Sequence, residues 1–207
     1  GKLKASLALV QRLESAVQAH AAALAAAKAT EDIEDQDKRR RAAHSVLCSA
    51  VEDVLMQLQE YIDDDADVVA LVLDQGGVES ACSIIATLPP SPPSKSSELA
   101  VLTEALTVLQ LVGTTEGCMQ AVMSHDKGRT MVKLLAWMQG LEHCGPGTVA
   151  DVAQLMEIAL QHDALRRTLL KKSWSYSAKG AASPQRISLL AAAAAASAKP
   201  EAMQHAI

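Results

Sequence analysis

Slid against itself by 47 residues, the middle of this chain meets its own pattern without a gap. Leu102, Ala105, Leu106, Leu109, Leu111, Val112 and Val122 fall on Val149, Val152, Ala153, Met156, Ile158, Ala159 and Leu169. Recurrence at this period, with apolar positions three and four apart inside each copy, points to stacked helical units. Each unit leaves its apolar face bare until a neighbour covers it. Looser echoes flank the central match: Val72 lies 50 residues before Val122, Gly77 lies 51 before Gly128, and Ile207 lies 38 after Leu169.

The best copy spans residues 98 to 141 and reads as three helices: Glu98 to Val112, a short one from Glu116 to Ser124, and Gly128 to Met138. The first carries a wide apolar face of Leu102, Ala105, Leu106, Leu109 and Val112. It also carries a narrow polar stripe of Thr103, Thr107, Gln110 and Thr114. At ~100° per residue those four side chains fall within about 60° of one another. Gly113 followed by Thr114 and Thr115 suits a helix stop and a new N-cap. His125 to Gly128 suits a turn in which glycine takes positive φ.

Composition agrees. Aromatic residues make up 2% of 207, with no Phe, so the core must be Leu, Val, Ala, Met and Ile, which favours close-packed helices over a β-sandwich, and the periods of three and four throughout predict no β-sheet. The net charge of −5 argues against a general nucleic-acid or anionic-membrane binder. The longest apolar run, Leu189 to Ala196, is far short of the ~20 residues that span a bilayer. No secretory signal is visible. Cys48, Cys82, Cys118 and Cys144 form no CxxC pair, so they read as free thiols of a reducing compartment. The first residue, Gly1, and the helical pattern still running at the end suggest a piece of a longer protein.

In chain order, Lys2 to Lys28 reads as Ala-rich helix with Leu3, Leu7, Val10, Leu13 and Val17 on one face. The run Glu31 to Arg41 places acids before bases, pairing Glu34 with Lys38, Asp35 with Arg39 and Asp37 with Arg41 as a solvated helix or charged linker. Lys38 to Arg41 as a nuclear-localisation or nucleic-acid patch is neutralised by those acids. Residues 1–42 are therefore set apart from 43–207. Ala43 to Ile62 is a long helix with Val46, Leu47, Val51, Val54, Leu55, Leu58 and Ile62 as its apolar side. Asp63, Asp65 and Asp67 suggest a calcium loop, but Val68 and Asp74 stand where it needs Gly and Glu, so these acids cap the next helix instead. Asp67 to Leu73 and Val78 to Leu88 follow as helices. Pro89 to Ser97 is a loop with PxxP spacing. Helices are expected again at Thr148 to Gln161, Ala164 to Lys172, Ile187 to Ala198 and Pro200 to Ile207, with Ser173 to Ser183 ambiguous.

The stretch ALTVLQLVGTTEGCMQAVMSHDKGRTMVKLL resembles an armadillo repeat, and DVVALVLDQGGVESACSIIATL resembles the second half of another. HEAT repeats share much of this pattern. The resemblance covers about residues 43 to 207 in three to four partial units. It implies an all-α, right-handed α-solenoid of armadillo/HEAT-like repeats whose long helices line a groove for partner proteins. By that resemblance the groove stripe is Thr103, Thr107, Gln110 and Thr114, continued by Gln154, Glu157 and Gln161. The Trp and Asn ladders of nuclear-import armadillo proteins are missing from Glu98 to Val112 and Thr148 to Gln161, which argues against recognition of basic import signals.

No phosphate-binding, dinucleotide-binding, zincin or nucleophile-elbow motif is present. His143 and Cys144 beside Glu142 are adjacent on a loop and do not converge as a dyad or a metal site. Trp137 reads as core. Arg166, Arg167, Lys171 and Lys172 with Trp174 and Tyr176 form a basic, aromatic cluster suited either to a solvated helix end or to an acidic partner. The expected function is a non-enzymatic scaffold that binds other proteins within a larger intracellular, cytoplasmic assembly. The alternative is a structural component of a cytoskeletal, ciliary or axonemal complex with tubulin or axonemal proteins as partners. No cofactor, metal, nucleic acid or membrane is expected.

Overall fold

The computed structural model describes residues 1–63, 65–88 and 96–198. Helix accounts for 79% of the structure, well over half, as the three-and-four spacing requires. The loop expected at Pro89 to Ser97 lies largely outside the described residues, and the short helix expected at Pro200 to Ile207 lies wholly outside them. The chain divides into two compact units, Gly1–Leu111 and Val112–Ile207.

The first unit begins with two long helices, α1 (Lys2–Lys28) and α2 (Ile33–Ile62), which fold back on one another. Asp32 caps α2 by accepting from the Glu34 N–H at 2.8 Å. The charged run thus forms the first turns of α2, and this helix passes without a break through residues 42 and 43, where the sequence suggests a division. Arg39 meets Asp35 at 2.8 Å, and Arg40 lies 3.7 Å from Asp37. Helices α3 (Ala66–Asp74) and α4 (Gly77–Thr87) pack against α1. Asp65 caps α3 through the N–H groups of Asp67 and Val68, at 3.1 and 3.2 Å. Those bonds, helped by Lys2 at 3.2 Å, hold the Asp65 carboxyl below its ordinary range. Leu9, Val10 and Leu13 of α1 join Leu47, Val51, Val54, Leu55, Leu58 and Ile62 of α2 in the core. Two sequence assignments to that face fail. Val46 is 68% exposed and Leu3 45% exposed, and Val46 lines an open hollow along α1 and α2 where α1 presents chiefly alanines. Helix α5 (Ser96–Val112) is tied to α2 by the Gln59 side-chain amide, which donates to the Glu104 carbonyl at 3.3 Å and also to its carboxylate.

The second unit is built on α7 (Arg129–Gln139), whose Met131, Leu134, Leu135, Ala136, Trp137 and Met138 are all buried. Around it lie α6 (Glu116–Ser124), α8 (Pro146–Leu160), a hairpin of β1 (Ser173–Tyr176) with β2 (Gln185–Ser188), and α10 (Leu189–Ser197). Helix α9 (Asp163–Lys171) packs on α8. The hairpin corrects two expectations. A two-stranded antiparallel sheet is present, and Ile187 belongs to β2, so the helix begins at Leu189 under a Ser188 cap. Strand geometry suits this stretch because Ser173, Trp174, Ser175 and Tyr176 alternate, and both aromatic residues turn inward.

The order long helix, short helix, turn, helix recurs. After α2, α5 and α8 come α3, α6 and α9, each 9 residues long. Each short helix buries one pair four residues apart: Val68 and Val72, Cys118 and Val122, Leu165 and Leu169. The first two rounds then turn through a left-handed glycine at the N-cap of the next helix, Gly76 at φ 78° and Gly128 at φ 87°. Gly76 is thus the counterpart of Gly128, not Gly77. In the third round the β1–β2 hairpin stands where the glycine turn would be.

Candidate protein-binding surface

The stripe assigned to α5 and its continuation on α8 differ in exposure. Thr103, Thr107 and Gln110 of α5 are half-buried, and the Thr107 hydroxyl donates to the Thr103 carbonyl at 2.9 Å. Thr114 is exposed in the turn beyond α5. Gln154 and Glu157 stand exposed on α8, and Gln161 is the exposed C-cap residue of that helix. The positions follow from helical spacing: Val152, Leu155, Met156 and Ala159 face the core, which turns 154 and 157 outward.

Glu157 also borders a hollow of about 230 Å³ between α8 and α10. Its floor includes Met138, Met156, Leu160, Leu189 and Ala193, so an apolar depression lies beside the polar row. Nothing in the local sequence signals it, since it depends on where α10 lands. A second hollow, about 390 Å³, runs along α1 and α2, lined chiefly by alanines with His20, Arg39 and Val46.

His20 and His44 meet beside that hollow, with His20 Nε2 2.9 Å from His44 Nδ1. One ring must donate and the other accept, so the pair suits neutral imidazoles. Burial, with the His44 ring as a lesser cause, lowers the His20 pKa from 6.5 to about 4. The unfolded chain therefore binds more protons than the folded one between those values, and stability falls as pH drops from about 6.5 towards 4. Thermal unfolding across this range should show the midpoint falling with acidity. His20→Leu should flatten that dependence relative to the parent, whose carboxylates titrate in both proteins.

The basic residues do not form one cluster with the aromatics. Arg166, Arg167, Lys171 and Lys172 are exposed at and just beyond α9, whereas Trp174 and Tyr176 are buried behind the hairpin. Arg166 is paired with Asp163 at 2.6 Å. Only Lys172 reaches an aromatic ring, with Nζ 5.4 Å from the Trp174 centroid. Tyr176 instead serves a half-buried carboxylate. Its hydroxyl donates to Glu142 Oε1 at 3.4 Å, and Trp137 Nε1 donates to Glu142 Oε2 at 3.1 Å. Lys133 lies over the Trp137 ring at 5.3 Å. Burial lowers its pKa to about 8 against the opposing pull of Glu142. Burial likewise raises the Tyr176 phenol, and Glu142 adds to that shift. Cys144 donates to the Trp137 carbonyl at 3.8 Å. His143, its neighbour, is exposed.

Among the described residues no group of three or more His, Cys, Asp or Glu side chains could hold a metal ion. Also among them, no single helix is long and apolar enough to cross a membrane. The bent pair α3 and α4 meets that test only when taken together, and it buries Val68, Val72, Ile84 and Ile85 within the first unit. No family model matches the chain, and no curated protein or solved structure matches it either.

Proposed function

We propose that this chain is a non-enzymatic protein-binding scaffold of the armadillo type, working within a larger intracellular assembly. The observation that carries the reading is the threefold recurrence of a 9-residue helix with one buried i, i+4 pair after each long helix. Such recurrence is how repeat proteins build a continuous core with a regular outer surface. In this reading the repeats are of the right-handed solenoid type, and the row on α5 and the row on α8 each line the groove side of their own unit. On α8 the polar row runs beside an apolar hollow bordered by Glu157, an arrangement in which the hollow accepts an apolar anchor of another chain and the polar rim supplies hydrogen bonds.

Gln154→Arg together with Glu157→Arg tests this. Both positions are exposed, so unfolding free energy should move by only about ±0.5 kcal/mol. Proteins captured by the parent chain should be lost by the variant. Full retention of every captured protein by a normally folded variant would overturn the groove. The exposed Arg167 and Lys171 favour a second reading, a structural component that docks on an acidic cytoskeletal surface such as tubulin. Binding to microtubules that falls with salt and with Arg167→Glu, and not with the α8 variant, would select it.

A further inference from the structure

The outer face of the β-hairpin carries Ser173 and Ser175 on β1 and Arg186 and Ser188 on β2, since Trp174, Tyr176 and Ile187 all turn inward. Arg186 reaches diagonally across this face to one serine. Its Nε and Nη2 donate to Ser173 Oγ at 3.1 and 2.6 Å, and Nη2 also donates to the Ser173 carbonyl at 3.2 Å. A guanidinium fork fits two oxygens of an anion better than one hydroxyl oxygen. Among the described residues Arg186 has no carboxylate partner. The surroundings supply none nearby in sequence: from Ala164 to Ala198 the chain has Arg166, Arg167, Lys171, Lys172, Lys179 and Arg186 and no acidic residue. Directly across from Ser173 is Ser188, the N-cap of α10, so that helix begins beside the same end of the hairpin.

We propose that Ser173 is a phosphorylation site, written by a kinase that reads basic residues on the N-terminal side, and that Arg186 receives the phosphate. Lys171 and Lys172 immediately precede the serine, with Arg166 and Arg167 one helical turn further back. Lys172 (φ −79°, ψ 142°) and β1 are already extended, the conformation in which a substrate enters a kinase cleft. In the transfer, Ser173 Oγ attacks the γ-phosphorus of ATP and forms the new O–P bond. The bond from that phosphorus to the β–γ bridging oxygen breaks, ADP departs with the electron pair, and the hydroxyl proton passes to the kinase's base. The product carries close to two negative charges and three acceptor oxygens where one neutral hydroxyl stood. Arg186 then makes a charge-assisted, bidentate contact across the two strands. Lys172 is turned onto Trp174 and serves recognition by the kinase, not the phosphate. A two-stranded sheet is marginal by itself, so a cross-strand ion pair at its open end ties β1 to β2 and the start of α10.

The test uses the whole chain, treated with ATP, magnesium and, in turn, the catalytic domains of cyclic-AMP-dependent kinase and protein kinase C. Peptide mapping should place phosphate on Ser173, with the signal lost in Ser173→Ala and kept in Ser175→Ala. No phosphate, or phosphate on Ser175 or elsewhere alone, overturns the assignment. Phosphorus NMR then follows the second ionisation of the phosphoserine. It should titrate about one pH unit below the free value of about 6 in the folded parent. It should return to about 6 in Arg186→Gln and in the parent unfolded by urea, the latter serving as reference should the variant fold poorly. A phosphoserine that titrates alike in folded and unfolded chains overturns the role of Arg186.

Discussion

Trp137→Ala should remove on the order of 3–5 kcal/mol of stability, read as a lower urea midpoint at pH 7. Trp137 is fully buried in the last turn of α7, the helix on which the second unit is assembled. Alanine leaves a cavity too large for neighbouring Met and Leu side chains to close. It also removes the indole N–H that donates to Glu142 Oε2 at 3.1 Å, leaving that carboxylate the longer Tyr176 bond at 3.4 Å. Lys133 loses the ring beneath its ammonium group at 5.3 Å. Trp137→Phe separates the contributions. It keeps an aromatic ring and most of the volume but deletes the N–H together with the five-membered part of the indole, so its cost should be on the order of 1–3 kcal/mol. Equal midpoints for the Ala and Phe variants would mean that volume contributes little and that the hydrogen bond to Glu142 dominates.

Leu109→Ala should cost on the order of 2–5 kcal/mol. Leu109 is fully buried on α5, among Leu102, Ala105, Leu106 and Val112 on the same helix, all equally inaccessible. The side chain is lost together with the contacts of a close-packed face. Leu111, two positions on and only half-buried, provides the contrast: Leu111→Ala should cost clearly less. An unchanged unfolding midpoint for Leu109→Ala would show that the register of α5 is wrong.

Most of the helices were legible because burial on a helix repeats at 3.6 residues, and this chain has almost no aromatic residues to blur that period. Gly128 was legible for the same local reason. A chain reversal between Ser124 and Arg129 needs positive φ, and the turn supplies it three times over, at Asp126 (φ 47°), Lys127 (φ 56°) and Gly128 (φ 87°). The hairpin was not identified, although Ser173 to Tyr176 alternates polar and apolar residues and Gly180 takes φ 83° between the strands. Four residues of alternation are too few to outweigh the helical patterns on either side.

The candidate surface was legible only as a stripe. Spacing put Gln154 and Glu157 on one face of α8, but the apolar hollow beside Glu157 exists because α10 packs against α7 and α8. Likewise, nothing near Glu142 in sequence announces Tyr176, 34 residues away, and nothing near His20 announces His44, 24 residues away. By itself the sequence determined most of the helices, most of their apolar faces, and that one helical order recurs, because these depend on neighbours within a few residues. The tertiary structure alone decided which distant side chains share a proton, a carboxylate or a cavity, because those pairings depend on how far the chain travels before it packs back upon itself.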